Sequence, residues 1–267
     1  MESIEINKIY CEDHLVTMSK MPDDFIDLTV TSPPYDNLRD YNGYVFQFEK
    51  MAKELYRVTK PGGVVVWVVN DETKNGSESL TSCKQKIFFR EECGFNIHDT
   101  MIYWKNGFAF PEQNRYAPNF EYMFILSKGV PKYTNIFKIA NNRASRIKNK
   151  SAKYRTASGE MIQMKYETGK KERNKENIWI YEVGYAKTST DDIWKHPAPF
   201  PEKLAADHIY SWSNEGDLVY DPMAGSGTVP KMAIKMKRKW IASEISQEYC
   251  DIAEKRIKRE QSILKLF

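Results

Sequence analysis

Two short stretches near opposite ends of the 267-residue chain hold side chains whose types and spacing suit group transfer. The first is Thr31-Ser32-Pro33-Pro34-Tyr35. Its prolines keep the backbone extended and leave the Pro33 carbonyl without a ladder partner, so this carbonyl and the Ser32 hydroxyl form a pair of acceptors. Such a pair suits both hydrogens of an exocyclic NH2. It turns the nitrogen lone pair out of conjugation while Tyr35 stacks on the attached ring. Rate then comes from alignment and electrostatics. Taken alone, the same residues also fit a Pro-Pro turn with a surface tyrosine.

The second stretch runs from Asp221 through Gly225-Ser226-Gly227-Thr228 to Glu244. A strand, a glycine turn, a helix and a second strand ending in an acid about twenty residues on is a layout that binds an adenosine-bearing cofactor. Backbone approaches the ligand at the glycines, and Glu244 can meet ribose hydroxyls or simply face water. No G-x-x-x-x-G-K-[ST] pattern is present and the third glycine of the dinucleotide fingerprint is missing, so a cofactor without phosphates suits the turn better. Asp221 can meet a positively charged amino group or cap the turn. None of Cys11, Cys83, Cys93 and Cys250 follows a proline as a cytosine-C5 nucleophile would, and no C-x-x-C pair suggests zinc. His14, His98, His196 and His208 lack metal-site spacing, so no metal is expected.

These stretches need elements to hold them. Asp24 to Thr31 reads as a buried strand closed by Pro33-Pro34. Phe48, Met51, Ala52, Leu55 and Thr59 recur at helical spacing, and after Pro61-Gly62-Gly63 the run Val64 to Val69 reads as the next strand. This strand–helix–strand crossover implies a parallel sheet. Ile97 to Trp104 and Glu121 to Leu126 suggest a hairpin, and Leu204 to Trp212 a helix. Gly216 to Asp221 reads as a strand, Val229, Met232, Ala233 and Met236 as one helix face, and Trp240 to Ser243 as a strand ending at Glu244. Ser246 can cap a last helix along Tyr249, Ile252, Ala253 and Ile257.

Apolar residues make up 41% of the chain, enough for a sizeable core, and no apolar run is long enough to span a membrane. The acidic N-terminus lacks the layout of a secretion signal, which predicts a cytoplasmic protein. Net charge is +4, but residues 131 to 190 carry 14 Lys/Arg against 5 Asp/Glu. That stretch has no clean periodicity and intersperses Tyr133, Phe137, Tyr154, Tyr166, Trp179 and Tyr181, as an inserted module or long ordered loop would. Its basic residues can neutralise phosphates and its Tyr, Asn and Gln can read groove edges, or the stretch is a solvated basic loop.

TSPPY near the N-terminus and DPMAGSGT followed by Glu244 near the C-terminus resemble the DNA amino-methyltransferases acting on cytosine N4 or adenine N6. Catalytic motif first and cofactor motif last resembles the permuted β group, and His196-Pro197-Ala198-Pro199-Phe200-Pro201 resembles the H-P-A-x-F-P segment that this group places before its cofactor motif. The resemblance implies an α/β, Rossmann-like S-adenosylmethionine-dependent methyltransferase sheet with helices on both faces and an inserted basic target-recognition region. It divides the chain into a catalytic half at 1–130, the insertion at 131–190 and a cofactor-binding half at 191–267. It implies catalytic roles for Ser32, Pro33, Pro34 and Tyr35. Asp221, Pro222, Ala224, Gly225, Gly227 and Thr228 would surround the methionine part of S-adenosyl-L-methionine, with Glu244 on the ribose, Asp13 on the adenine amino group, and His196 and Phe200 beside the cofactor. Glu12 stands where many relatives carry glycine.

Serine at the head of S-P-P-Y is the form usual in cytosine-N4 enzymes, whereas aspartate or asparagine is usual in adenine-N6 enzymes. The expected partner is double-stranded DNA with a target base rotated out of the stack. The resemblance also admits a homodimer and a cognate restriction endonuclease acting on the same site. Two alternatives stay open: a non-catalytic DNA-binding subunit of the same fold, and a methyltransferase for RNA or for protein amide nitrogen, whose related loop normally begins with asparagine.

Overall fold

The computed structural model describes residues 4–34, 46–107, 114–141, 151–165, 171–182 and 200–264. Tyr35 and His196 lie outside them. The chain divides into a main unit, Met1–Asn135 with Asn177–Phe267, and a smaller unit, Ile136–Glu176.

The main unit opens with β1 (Lys8–Cys11), α1 (His14–Ser19), β2 (Ile26–Thr31), α2 (Phe48–Val58) and β3 (Thr59–Val69). A short hairpin, β4 (Thr73–Lys74) and β5 (Ser77–Glu78), leads to α3 (Thr81–Glu91), β6 (Asn96–Asn106) and β7 (Phe120–Ser127). The smaller unit supplies β8 (Lys138–Ala140), β9 (Ser151–Arg155), β10 (Met161–Lys165) and β11 (Glu172–Asn174). The chain then returns to the main unit as β12 (Ile178–Glu182), α4 (Glu202–Trp212), β13 (Leu218–Asp221), α5 (Thr228–Lys235), β14 (Lys239–Glu244) and α6 (Gln247–Leu264).

One sheet organises the main unit, in the order β1-β14-β13-β2-β3-β7-β6-β12. Its first five strands are mutually parallel, as the crossover reading of the sequence predicts, and β6 and β7 form the expected antiparallel hairpin. Val64 to Val69 are all at most 1% exposed, because β3 is covered on both faces. Each such side chain contributes roughly 1.5–3 kcal/mol. One face packs Val65, Trp67 and Val69 against Met18 of α1, Met51 and Leu55 of α2 and Phe89 of α3. Helices α4 and α5 pack against each other and on the opposite face.

Strand β12 departs from the sequence expectation. Ile178-Trp179-Ile180-Tyr181 alternates, and Trp179 and Tyr181 are each 5% exposed core residues rather than aromatics of a surface insertion. The Tyr181 hydroxyl donates to Asp207 of α4 at 2.9 Å, and the Trp179 ring stacks 4.9 Å from His208. Trp212 donates to His208 Nδ1 at 3.3 Å, which fixes the Nε2–H tautomer facing the Met123 sulfur at 3.2 Å. Burial pushes the His208 pKa down to about 3, so the ring is neutral.

The smaller unit consists of two antiparallel pairs, β8 with β11 and β9 with β10. None of its described side chains is buried. The main-unit residues that bracket it are pinned. Asn135 donates through Nδ2 to the carbonyl of Tyr210 at 2.9 Å, and its N–H donates to Ser211 O at 2.9 Å. Asn177 donates through Nδ2 to Thr100 O at 3.2 Å, and its own carbonyl accepts from Ile102 N–H at 2.9 Å.

Candidate functional site

Strands β1, β14, β13 and β2 bring Asp13, Ser32, Asp221 and Glu244 to the carboxyl ends of one part of the sheet. Cys11 stands opposite Glu244, so Asp13 follows a strand end beside that carboxylate. Tyr220 stands opposite Thr29, which puts Asp221 one residue and Ser32 three residues beyond that pair, an offset of about 7 Å along the strands. The chain diverges here: β2 is followed by α2 toward β3, and β13 is followed by α5 toward β14, away from each other. A crevice at the carboxyl ends of strands where the order reverses is the ligand site of open α/β sheets.

The glycine turn is tied down residue by residue. Asp221 Oδ1 accepts from Met223 N–H at 3.1 Å, and Ala224 N–H donates to Ser243 O at 2.9 Å. Glu244 Oε2 accepts from Gly225 N–H at 2.8 Å and its Oε1 from Ser246 N–H at 2.9 Å. Gly227 has φ +76°, and a Cβ there would stand 2.7 Å from Ala253 Cβ, so only glycine lets the turn meet α6. Pro222, Ala224, Gly225 and Thr228 are buried within the same turn.

Burial raises the Asp221 pKa to about 7, opposed by the Met223 N–H and reinforced by the charge of Glu244. Burial also raises Glu244, against the donated N–H groups of Ser246, Gly225 and Ile245. Among the described residues no lysine or arginine pairs with Asp221. A buried carboxylate of this kind calls for a cation, which the amino group of a methionine-derived donor provides. The turn and its acids therefore fit S-adenosyl-L-methionine. Among the described residues no cluster could hold a metal ion.

Ser32 and Pro34 are half-buried and Pro33 is buried, directly after Thr31 at the end of β2. Asp13 also serves as the N-cap of α1, accepting from Leu15 N–H at 2.7 Å. Phe200 is half-buried and precedes Pro201, the N-cap residue of α4.

Sequence reasoning missed a buried polar group behind the turn. Arg256 of α6 donates through Nη1 to Ser226 O at 2.6 Å, Ser226 Oγ at 3.0 Å and Thr228 Oγ1 at 3.3 Å. Its Nη2 donates to Glu202 Oε1 at 2.8 Å, which also accepts from Lys231 Nζ at 2.9 Å. These residues lie on three helices, so no local spacing signals them.

A family model, N6_N4_Mtase, described as DNA methylase, matches residues 26–255. The chain is 55% identical over 236 residues to the orphan methyltransferase M.BamHII of Bacillus amyloliquefaciens, covering 87% of this chain and 89% of that one. It is 26% identical over 267 residues to the DNA adenine methyltransferase YhdJ of Escherichia coli strain K12, covering 95% and 83%. Among solved structures it is similar to the PvuII DNA methyltransferase, named as cytosine-N4-specific, with a TM-score of 0.69, 21% identity and coverage of 98% and 92%. At that identity the likeness shows the fold, a mixed α/β sheet flanked by helices.

Proposed function

The chain belongs to the N4/N6 family of DNA methylases, which take their methyl group from S-adenosylmethionine, and from that premise we propose that it methylates the exocyclic N4 of a cytosine in double-stranded DNA. The observation that carries this reading is the placement of Ser32-Pro33-Pro34 and Asp221 at adjoining strand ends of one sheet.

When bound, S-adenosyl-L-methionine supplies an electrophilic methyl group. Asp221 receives its amino group, Glu244 its ribose hydroxyls and Asp13 its adenine amino group, while Pro222, Ala224, Gly225, Gly227 and Thr228 shape the turn around it. We assign Phe200 and His196 to the donor's surroundings as well. Ser32 Oγ and the Pro33 carbonyl accept the two hydrogens of the target NH2 and point its lone pair at the methyl carbon, while Tyr35 stacks on the base. Catalysis then rests on alignment.

We assign target recognition to 131–190, apart from strand β12, which belongs to the main sheet, and the two catalytic halves to 1–130 and 191–267, the motif order of the permuted β group. Basic residues of the middle stretch grip phosphates while the base is rotated out. Serine at the first motif position favours cytosine, and the solved relative named cytosine-N4-specific is in keeping with that choice. Adenine N6 is the second reading, favoured by the relative named as an adenine methyltransferase.

Expression in a host free of DNA methylation, followed by sequencing that reports modified base and context, tests this directly. N4-methylcytosine in a fixed context is expected. N6-methyladenine would overturn the base assignment, and no modified base would overturn the reaction.

A further inference from the structure

We infer that Arg256 is a positioning residue that holds Ser226–Thr228 in the shape that seats the methyl donor, with Glu202 aiming its guanidinium; this rests on the reading of the glycine turn as the donor site. Helix α6 approaches the turn with two residues one helical turn apart. Ala253 packs where a side chain at Gly227 would stand, and Arg256 reaches past it to the backbone and hydroxyls of the same turn. Arg256 is 5% exposed, and its bond to Ser226 O, at 2.6 Å, is short and charge-assisted.

The fork is what the task requires. One guanidinium nitrogen covers the turn while the other is fixed by a carboxylate, a division that a single ammonium cannot reproduce. Glu202 stands at the start of α4, and because it also receives Lys231 of α5, one carboxylate links the helix that follows the cofactor turn, the helix beneath it and the helix that follows Phe200 and Pro201. Backbone groups facing the donor are thereby held from behind before it arrives, so binding does not have to order them. Ser226 and Thr228 side chains point to this network and are 3% exposed, so their part in the site runs through Arg256.

The test uses the full-length protein and S-adenosylhomocysteine binding by calorimetry, beside the donor KM, the DNA KM, kcat at saturating donor and thermal melts. Arg256→Met is expected to weaken S-adenosylhomocysteine binding and raise the donor KM about ten- to hundredfold, with kcat and DNA KM within about twofold of wild type. Arg256→Lys should recover part of the loss. Glu202→Gln, which keeps an acceptor but removes the charge, should raise the donor KM about threefold or more. If Arg256→Met does not fold, the lysine and Glu202→Gln variants carry the same comparison. Folded variants that bind S-adenosylhomocysteine as tightly as a wild type that binds it would overturn this inference alone, as would a fall in kcat at unchanged donor KM. A wild type that does not bind S-adenosylhomocysteine would overturn the donor-site reading and this inference together.

Discussion

The glycine turn at 221–228 and the small unit at 136–176 differ most in what holds them. From Asp221 to Thr228 every residue but Met223 is buried, and the backbone is fixed by Glu244, Ser243 and Arg256. In the small unit no described side chain is buried, and its strands pair two by two. Isolated two-stranded pairs are marginal in water. A methyl donor must be held in one geometry, so its site is built before it binds. A phosphate backbone can be gripped by charges on flexible stems, so the surface that meets it needs little core. Under the proposed assignments, substitutions in the turn should therefore act severely and on the donor, and those in the small unit mildly and on DNA.

The sharpest test is Gly227→Val. A branched side chain at φ +76° with its Cβ against Ala253 should cost about 3 kcal/mol of stability and abolish S-adenosylhomocysteine binding in calorimetry. Normal binding would break the contrast at its rigid end. Ser32→Ala should lower kcat about hundredfold in single-turnover labelling while leaving S-adenosylhomocysteine affinity unchanged, separating alignment of the base from seating of the donor.

Acidity gives the next effect. Asp221 carries a pKa raised to about 7, and a cationic ligand prefers its ionised form, so binding releases a proton below that pH. Affinity for S-adenosylhomocysteine should rise up to about tenfold per pH unit between roughly 5 and 6.5 and level off above about 7. Asp221→Asn should flatten this profile. Stability of the free protein should move the other way, falling as pH rises from about 4 through 7, because the buried group must ionise.

The smallest effect belongs to the small unit. Lys153→Gln, on the exposed strand β9, should weaken DNA binding about two- to threefold, lower the salt slope by about one and leave donor binding unchanged. Loss of all activity at Lys153 would show that the graded end is not graded.

Legibility in the sequence follows the same divide. β2, α2, β3, the β6–β7 hairpin and the β13–turn–α5–β14 segment were readable because each announces itself locally, by apolar runs, 3.6 spacing or glycines. Strand β12 was not. Five alternating residues after a basic stretch carry little signal, and what makes them a strand is pairing with β6, more than seventy residues earlier. Helix α3 was hidden because it starts after Leu80 at φ +60° without a side-chain cap and buries the polar Ser82 and Gln85 alongside Phe89. Asp13 was assigned to the cofactor only through the family resemblance, and the helix cap that it provides was not read from the sequence. The Arg256–Glu202–Lys231 group was invisible because three helices must assemble before it exists.

Asn135 and Asn177 carry a consequence for how such a chain can change over generations. Each is pinned to the main unit by backbone and side-chain bonds, so the ends of the intervening 136–176 stretch are set by the scaffold and not by its contents. Closing a loop between fixed ends costs only about 0.6 kcal/mol for each doubling of length. The segment can thus be exchanged or enlarged like an interchangeable cassette, and under the proposed assignment of target recognition to this stretch such an exchange would give a lineage a new address on DNA while the chemistry is inherited untouched.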